Sequence, residues 1–248
     1  MNLIKILAFS LLFCSTIFAK GMPKEYFEIK NKEKAKAYFF EYIYKLNKNE
    51  NEKILEERSF IKKYLNSSLL NINPQSSEFL RLINIKEKYR VKKLYDLSSY
   101  MKKIDVIPPS MALAQAAVES GWGKSRFIRV ANNIFGHWTY NPKIGIIPKK
   151  REEGQRHFIR VFKTMQDSIK AYMLNLNRNT AYKSFQNKRY QSRLEKQNPM
   201  GIDLSQTMIN YSGIGKEYLS ILKTVIKKNK LEKYDNKFYQ QIKLIEGI

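Results

Sequence analysis

The sequence predicts a mainly α-helical protein interrupted by one short β-hairpin. Apolar residues recur at helical spacing through most of the chain, and proline, alanine and glycine punctuate residues 108 to 121 as a helix with defined ends. The pattern turns β-prone only between Trp138 and Phe162.

The first residues read as a secretory signal peptide. Lys5 supplies a positive start, Ile6 to Phe18 is apolar and uncharged, and Ala19 precedes a polar sequence beginning Lys20-Gly21. The apolar run is shorter than the roughly 20 residues of a membrane-spanning helix. Cys14 is the single cysteine and lies inside this segment, and the bulky Phe13 before it argues against a lipid anchor. The expected organisation is a signal peptide over 1–19, an N-terminal helical region over 20–105, a catalytic-type domain over 106–230 and a C-terminal tail over 231–248. Without a disulfide, a packed core must hold the exported chain together.

Charge narrows the partners. The chain of 248 residues carries a formal net charge of +24, and removing residues 1–19 takes away Lys5 alone, leaving +23. Nucleic acid would be the expected partner inside a cell. For an exported protein the polyanions within reach are peptidoglycan, anionic lipid headgroups and surface polysaccharides, so electrostatic contact with envelope surfaces is expected, and nucleic acid is not. Alternatively the lysines only keep the protein soluble. A monomer is expected.

Residues 36–46, "KAYFFEYIYKL", place Phe39, Tyr42, Ile43 and Leu46 on one face, and 52–65, "EKILEERSFIKKYL", do so with Leu55, Phe60, Ile61 and Leu65. Two amphipathic helices follow, and a third is offered an N-cap by Ser76 or Ser77. Pro108 and Pro109 suit the start of the next helix and Gly121 its left-handed end, which puts Glu119 in the last turn. "IGIIP" and "RHFIRVF" flank the charged turn "KKREEGQ" as hairpin strands near residues 140–163. Asp167 can cap a helix carrying Ile169, Tyr172, Met173 and Leu176, and two more helices are expected, around "GIDLSQTMINY" and from Lys216 to Lys228.

"AQAAVESGWG", residues 114 to 123, raises the chemical question of why a lysine-rich chain places an acid there. Ala112, Gln115, Ala116 and Glu119 share a helical face, and small residues beneath an acid leave space for a large ligand. The negative end of the helix dipole and apolar neighbours such as Trp122 both disfavour ionisation. A protonated carboxyl at neutral pH is what a glycosidic oxygen needs as its bond breaks. The competing reading is a structural ion pair with Arg126 or Lys124.

Read in order, "ALAQAAVESGWGKSRFIRVANNIFGHW", "GIIPKKREEGQRHFIRVFKTMQDSIKAYMLNLNRNTAY" and "YSGIGKEYLSIL" resemble the Bax-type branch of the peptidoglycan N-acetylglucosaminidase family, and "KAYFFEYIYKLNKNENEKILEERSFI" resembles the helical region preceding its catalytic part. The resemblance implies a lysozyme-like α domain with a short β-hairpin insertion and an N-terminal helical extension. It further implies cleavage of the β-1,4 bond after N-acetylglucosamine in peptidoglycan glycan strands, with Glu119 as general acid and Tyr211 assisting. "NNIFG" would form the groove floor through Asn133, Phe135 and Gly136, with Tyr172 beside it. Gln115, Trp122 and Trp138 complete the expected sugar-contacting set, since aromatic rings offer sugars a flat face; Tyr211 could equally be a tyrosine buried between helices.

A second acid is harder to assign. Glu119, Glu152, Glu153, Asp167, Glu195, Asp203 and Glu217 are the carboxylates between residues 111 and 218, and only Glu152 and Glu153 lie on the β insertion that the family folds over its groove. Glu153, beside the turn-forming Gly154, is the favoured partner. Position 158, where the branch carries an acid after the histidine, is Phe158 here, and the substrate's own N-acetyl group can replace a second carboxylate.

Other classes fit less well. A lytic transglycosylase would follow its glutamate with a "GLMQ"-like segment, which is absent, and a non-catalytic envelope binder would need no acid. Two histidines, His137 and His157, assemble no zinc spacing, and the glycines form no nucleotide-binding loop. No metal and no cofactor are expected.

Overall fold

A computed structural model describes residues 21–67, 73–148 and 154–246. The expected signal peptide, Cys14, Glu152 and Glu153 lie outside the described residues. The fold is mainly α with one small antiparallel sheet, as the sequence predicts.

The N-terminal part comprises α1 (Lys24–Glu28), α2 (Lys32–Ser67), α3 (Ser77–Tyr89) and α4 (Leu97–Lys103). The two amphipathic helices expected over 36–46 and 52–65 are one continuous helix, α2. The polar run "NKNEN" between them stays helical because Asn47 and Asn51 have buried partners. Asn51 donates from Nδ2 to the Ile107 carbonyl and accepts at Oδ1 from the Ile107 N–H, each at 2.9 Å. Ser76 is the N-cap of α3, accepting from the Phe79 N–H.

α5 (Pro109–Ser120) runs through the centre and packs against α2 and three later helices: α9 (Gly201–Ser205), α10 (Lys216–Lys228) and α11 (Glu232–Glu246). Proline at its N-terminus and Gly121 at φ 55° bound it as expected. Its small residues serve a different purpose from the one predicted. Ala112 and Ala116 are fully buried, and instead of leaving a ligand-sized space they let neighbouring helices approach closely.

After α6 (Arg126–Ala131) come β1 (Trp138–Thr139), β2 (Gly145–Ile146) and β3 (Phe158–Arg160). The expected hairpin is the β2–β3 pair, and β1 adds a third strand on the other edge of β3, in the order β1-β3-β2. Trp138 pairs with Ile159, and Gly145 with Arg160. α7 (Met165–Arg178) and α8 (Lys183–Leu194) follow, joined by a 3-10 turn at Thr180–Tyr182. The N-cap of α7 is Thr164, and Asp167 is its capping-box partner three residues on, rather than the cap itself.

Residues on both sides of 105/106 contribute to one continuous core reaching from Met22 to Tyr239, and Asp105 is wholly buried at the join. The segment 231–248, expected as a tail, carries α11, and Asp235 on it accepts hydrogen bonds from the Ser110 N–H and hydroxyl and from the Gly201 N–H. One carboxylate thus ties the C-terminal helix to the start of α5 and of α9. No described helix is long and apolar enough to cross a membrane.

Candidate active site

Glu119 sits in the last turn of α5, half-buried. The chain reverses immediately after it through Gly121, Trp122 and Gly123, all at positive φ. The turn is held by Ser120, whose hydroxyl donates to the Ala116 carbonyl and accepts from the Gly123 N–H. Among the described residues Glu119 has no ion-pair partner, so the pairing with Arg126 or Lys124 is not formed.

Its partner is a tyrosine. The Tyr218 hydroxyl, on the first turn of α10, donates to Glu119 Oε1 at 2.7 Å. Behind it stands a relay: Tyr172 donates to Gln115 Oε1 at 2.6 Å, and Gln115 donates from Nε2 to the Tyr218 oxygen at 3.1 Å. Every polar atom of this line is used, and its direction points Tyr218's proton at the acid. Burial raises the Glu119 pKa, and the Tyr218 hydrogen bond, which favours the carboxylate, opposes it in part. Burial likewise pushes the Tyr218, Tyr172 and Tyr211 hydroxyls upward, so all three remain protonated donors.

Aromatic rings extend from this point. Tyr211 stacks on Tyr218 with centroids 5.6 Å apart and planes 6° from parallel, and meets Tyr172 edge-on at 6.3 Å. Tyr182 lies 6.0 Å from Tyr211, and Phe135 stacks on Tyr172 at 3.8 Å. "NNIFG" is pinned alongside. Asn133 donates to the carbonyls of His137 and Arg160 and accepts from the His137 N–H, and the Ile134 N–H donates to Ser168.

The expected residues therefore divide. Glu119, Tyr211, Tyr172 and Phe135 come together, with Gly136 next to them and partly open, but Tyr172 and Phe135 are buried and back the site without facing a ligand. Gln115 and Asn133 are buried with their amides fully engaged, so they hold the site's shape and do not face a ligand. Trp122 packs edge-on against Phe40 and against Phe39, with Lys36 over its ring. Trp138, 62% exposed, stacks on His157 at 4.0 Å, a presented aromatic surface on the sheet. Glu153 lies outside the described residues.

Tyr218 and Tyr182 were missed. The usable signal was helical phase: after Gly215, Tyr218, Leu222 and Ile226 form the buried stripe of the helix that crosses α5. A tyrosine leading that stripe is the one that reaches the helix end carrying Glu119. No group of three or more His, Cys, Asp or Glu among the described residues is placed to hold a metal ion.

The glucosaminidase family, described as mannosyl-glycoprotein endo-beta-N-acetylglucosaminidase, matches residues 95–237, a span that contains the expected 106–230 domain and extends beyond both its ends. The chain is 32% identical over 151 residues to the protein Bax of Escherichia coli strain K12, covering 59% of this chain and 53% of that protein, so it spans about half the length of the curated relative it matches. Among solved structures it is similar to the catalytic domain of the autolysin Auto from Listeria monocytogenes, at 19% identity and a TM-score of 0.37, over 72% of this chain and 86% of that one.

Proposed function

Because the chain belongs to the glucosaminidase family, we propose that it is a glycoside hydrolase that cuts peptidoglycan strands at the β-1,4 bond after N-acetylglucosamine, with Glu119 as general acid. The observation carrying this reading is the Glu119 carboxyl itself. It is half-buried with its pKa raised, one oxygen is fixed by Tyr218, and Oε2 has no partner among the described residues.

In the proposed reaction the substrate lies over Glu119 and Tyr211, the half-buried members of the cluster, with the rings of Tyr218, Tyr172, Phe135 and Tyr182 buried behind them. Oε2–H of Glu119 gives its proton to the glycosidic oxygen as the sugar C–O bond breaks, leaving an oxocarbenium-like centre and a Glu119 carboxylate. The hydrogen bond from Tyr218 stabilises that carboxylate as it forms. Water then adds to the anomeric carbon, its proton accepted by a second base. Glu153 is the proposed base, with Glu152 as the alternative; where the substrate N-acetyl group assists instead, its carbonyl oxygen bonds to the anomeric carbon as the C–O bond breaks, water opens that ring, and the Glu119 carboxylate takes the water's proton, while Tyr211 supports the charge at the reacting sugar. The enzyme acts in the cell envelope, where its positive charge holds it on anionic polymer and added salt releases it.

Product analysis on purified sacculi tests the reading. Hydrolysis leaves reducing N-acetylglucosamine ends. Anhydro-muramyl ends would instead mark a lytic transglycosylase, and tight binding to sacculi with no new ends from the wild-type protein would mark a non-catalytic binder.

A further inference from the structure

The 3-10 turn at Thr180–Tyr182 separates two surfaces. Tyr182 places its ring against Tyr211 in the aromatic row, whereas Thr180, two residues earlier, lines a second concavity of about 650 Å³. Its walls come from the α3–α4 connection, α4, the end of α7 and the start of α8. They carry seven cations, among them Arg90, Lys92, Lys93, Lys102, Lys103 and Arg178, against one acid, Asp96.

That acid is committed elsewhere. Asp96 is the N-cap of α4, accepting from the Ser99 N–H at 3.0 Å and the Ser99 hydroxyl at 2.6 Å. Among the described residues none of the seven cations forms an ion pair. The pocket frame is rigid: Gln186 donates to the carbonyls of Leu176 and Asn179, and Lys103 donates to those of Tyr89 and Arg90. Arg90 itself holds a left-handed conformation, φ 53°, at the end of α3, a position that ordinarily favours glycine. From this helix end Arg90 lines the pocket. Burial lowers the pKa of both Lys103 and Arg178, and the charge of Arg90 lowers each further, so these cations are close enough to repel. The one acid in the lining, Asp96, sets a single negative charge against these seven positive ones, felt by Lys93 and Lys102.

We propose that this concavity is a binding site for a phosphate-bearing polyanion, with Arg90 and Arg178 clamping one phosphate and the lysines meeting its neighbours along the strand. Each guanidinium offers two parallel N–H donors. Two forks arriving from different helices compete for the two coplanar oxygens of a carboxylate, whereas a terminal phosphate presents three tetrahedral oxygens to them and keeps one link to a chain.

Calorimetric titration of the full chain with inorganic tripolyphosphate tests this without using turnover. The expected result is saturable binding at roughly physiological salt. Arg90→Gln/Arg178→Gln should weaken it about tenfold or more, the size of one lost charge-assisted hydrogen bond. Lys32→Gln/Lys34→Gln removes the same charge from the exposed start of α2 and should weaken it less than about twofold. If the arginine pair proves unstable on a thermal melt, Lys92→Gln/Lys93→Gln, both exposed, takes its place. Equal weakening by the pocket pair and the α2 pair would overturn the site in favour of general charge. Poly-L-glutamate competing as well as tripolyphosphate at equal charge would overturn the phosphate assignment.

Discussion

The Tyr218 hydroxyl lies 2.7 Å from Oε1 of Glu119 and is itself hydrogen-bonded by Gln115, so the acid is held by the last member of a three-residue relay. Glu119→Gln preserves an oxygen for Tyr218 and removes the transferable proton. Turnover of sacculi is expected to fall by about two to four orders of magnitude, with an unchanged melting temperature and undiminished sacculus binding. A rate near wild type would remove Glu119 from the mechanism.

Tyr218→Phe separates chemistry from packing. The ring that stacks on Tyr211 stays, but the donor to Glu119 is lost. That hydrogen bond lowers the acid's pKa against the larger upward effect of burial, so its loss raises the pKa further. Activity requires the protonated acid and falls as pH climbs through that pKa. The alkaline limb of kcat/KM should therefore move to higher pH, alongside a drop of about tenfold in kcat from the lost support of the carboxylate. A uniform fall with the limb unmoved would reduce Tyr218 to a packing residue.

How much of this was legible in the sequence depends on whether local signals decided it. Pro109 and Gly121 bound α5 because proline and glycine act on their own backbone, and Glu119 could be placed in its last turn for that reason. The continuity of α2 was hidden because Asn47 and Asn51 read as loop formers until Ile107, 56 residues beyond Asn51, supplies their partners. Gln115 illustrates the limit for the site. Its helical phase beside Glu119 was readable, but whether it met a sugar or a tyrosine depended on where α7 and α10 pack. The Tyr172 and Tyr218 contacts span 57 and 103 residues of sequence.

Asp235 gives a pH signature in stability. Burial raises its pKa to about 6, against the hydrogen bonds from Ser110 and Gly201. A raised carboxyl contributes stability that is fully present below the unfolded pKa of roughly 4 and is lost as pH rises through about 6. Asp235→Asn cannot titrate, and its amide NH₂ confronts one of the N–H donors. The variant should be less stable at every pH, yet its melting temperature should change less between pH 4 and 7 than that of the wild type. Parallel curves for the two proteins would show that Asp235 does not titrate in this range.

Gly201 opens α9 directly against α5. A Cβ there would overlap the Ser110 hydroxyl and come within 2.6 Å of the Met111 backbone nitrogen, so backbone has to move. Gly201→Ala should cost about 1–3 kcal/mol by overpacking, measured by denaturant titration. Wild-type stability would mean that α9 can slide on α5 without loss.

Arg189 anchors the segment that leads into α5. It is fully buried, and its Nη1 and Nη2 atoms donate to the carbonyls of Lys102, Lys103, Asp105 and Val106 and to Asn177 Oδ1. The Asp105 carboxylate beside it pairs with Arg193 and, at 3.7 Å, with Arg58. Burial alone would raise the Asp105 pKa, but Arg193, Arg58 and Arg189 together hold it down at about 2. Arg189→Met fills much of the same volume while taking the donor from the buried Val106 carbonyl and Asn177 Oδ1 and from the part-buried Lys102 and Lys103 carbonyls, the Asp105 carbonyl keeping Asn177 Nδ2, and it removes one of the charges that keep Asp105 ionised. A loss of about 3–5 kcal/mol is expected, the usual cost of breaking a buried charged network from one side. Arg189→Lys keeps the charge but cannot spread donors over carbonyls on both sides, and should recover only a small part of the loss. Because Arg189 touches neither Glu119 nor the tyrosine relay, whatever fraction remains folded should keep the wild-type pH limb of kcat/KM. A lysine variant as stable as wild type would show that charge rather than the guanidinium fork holds the entrance to α5.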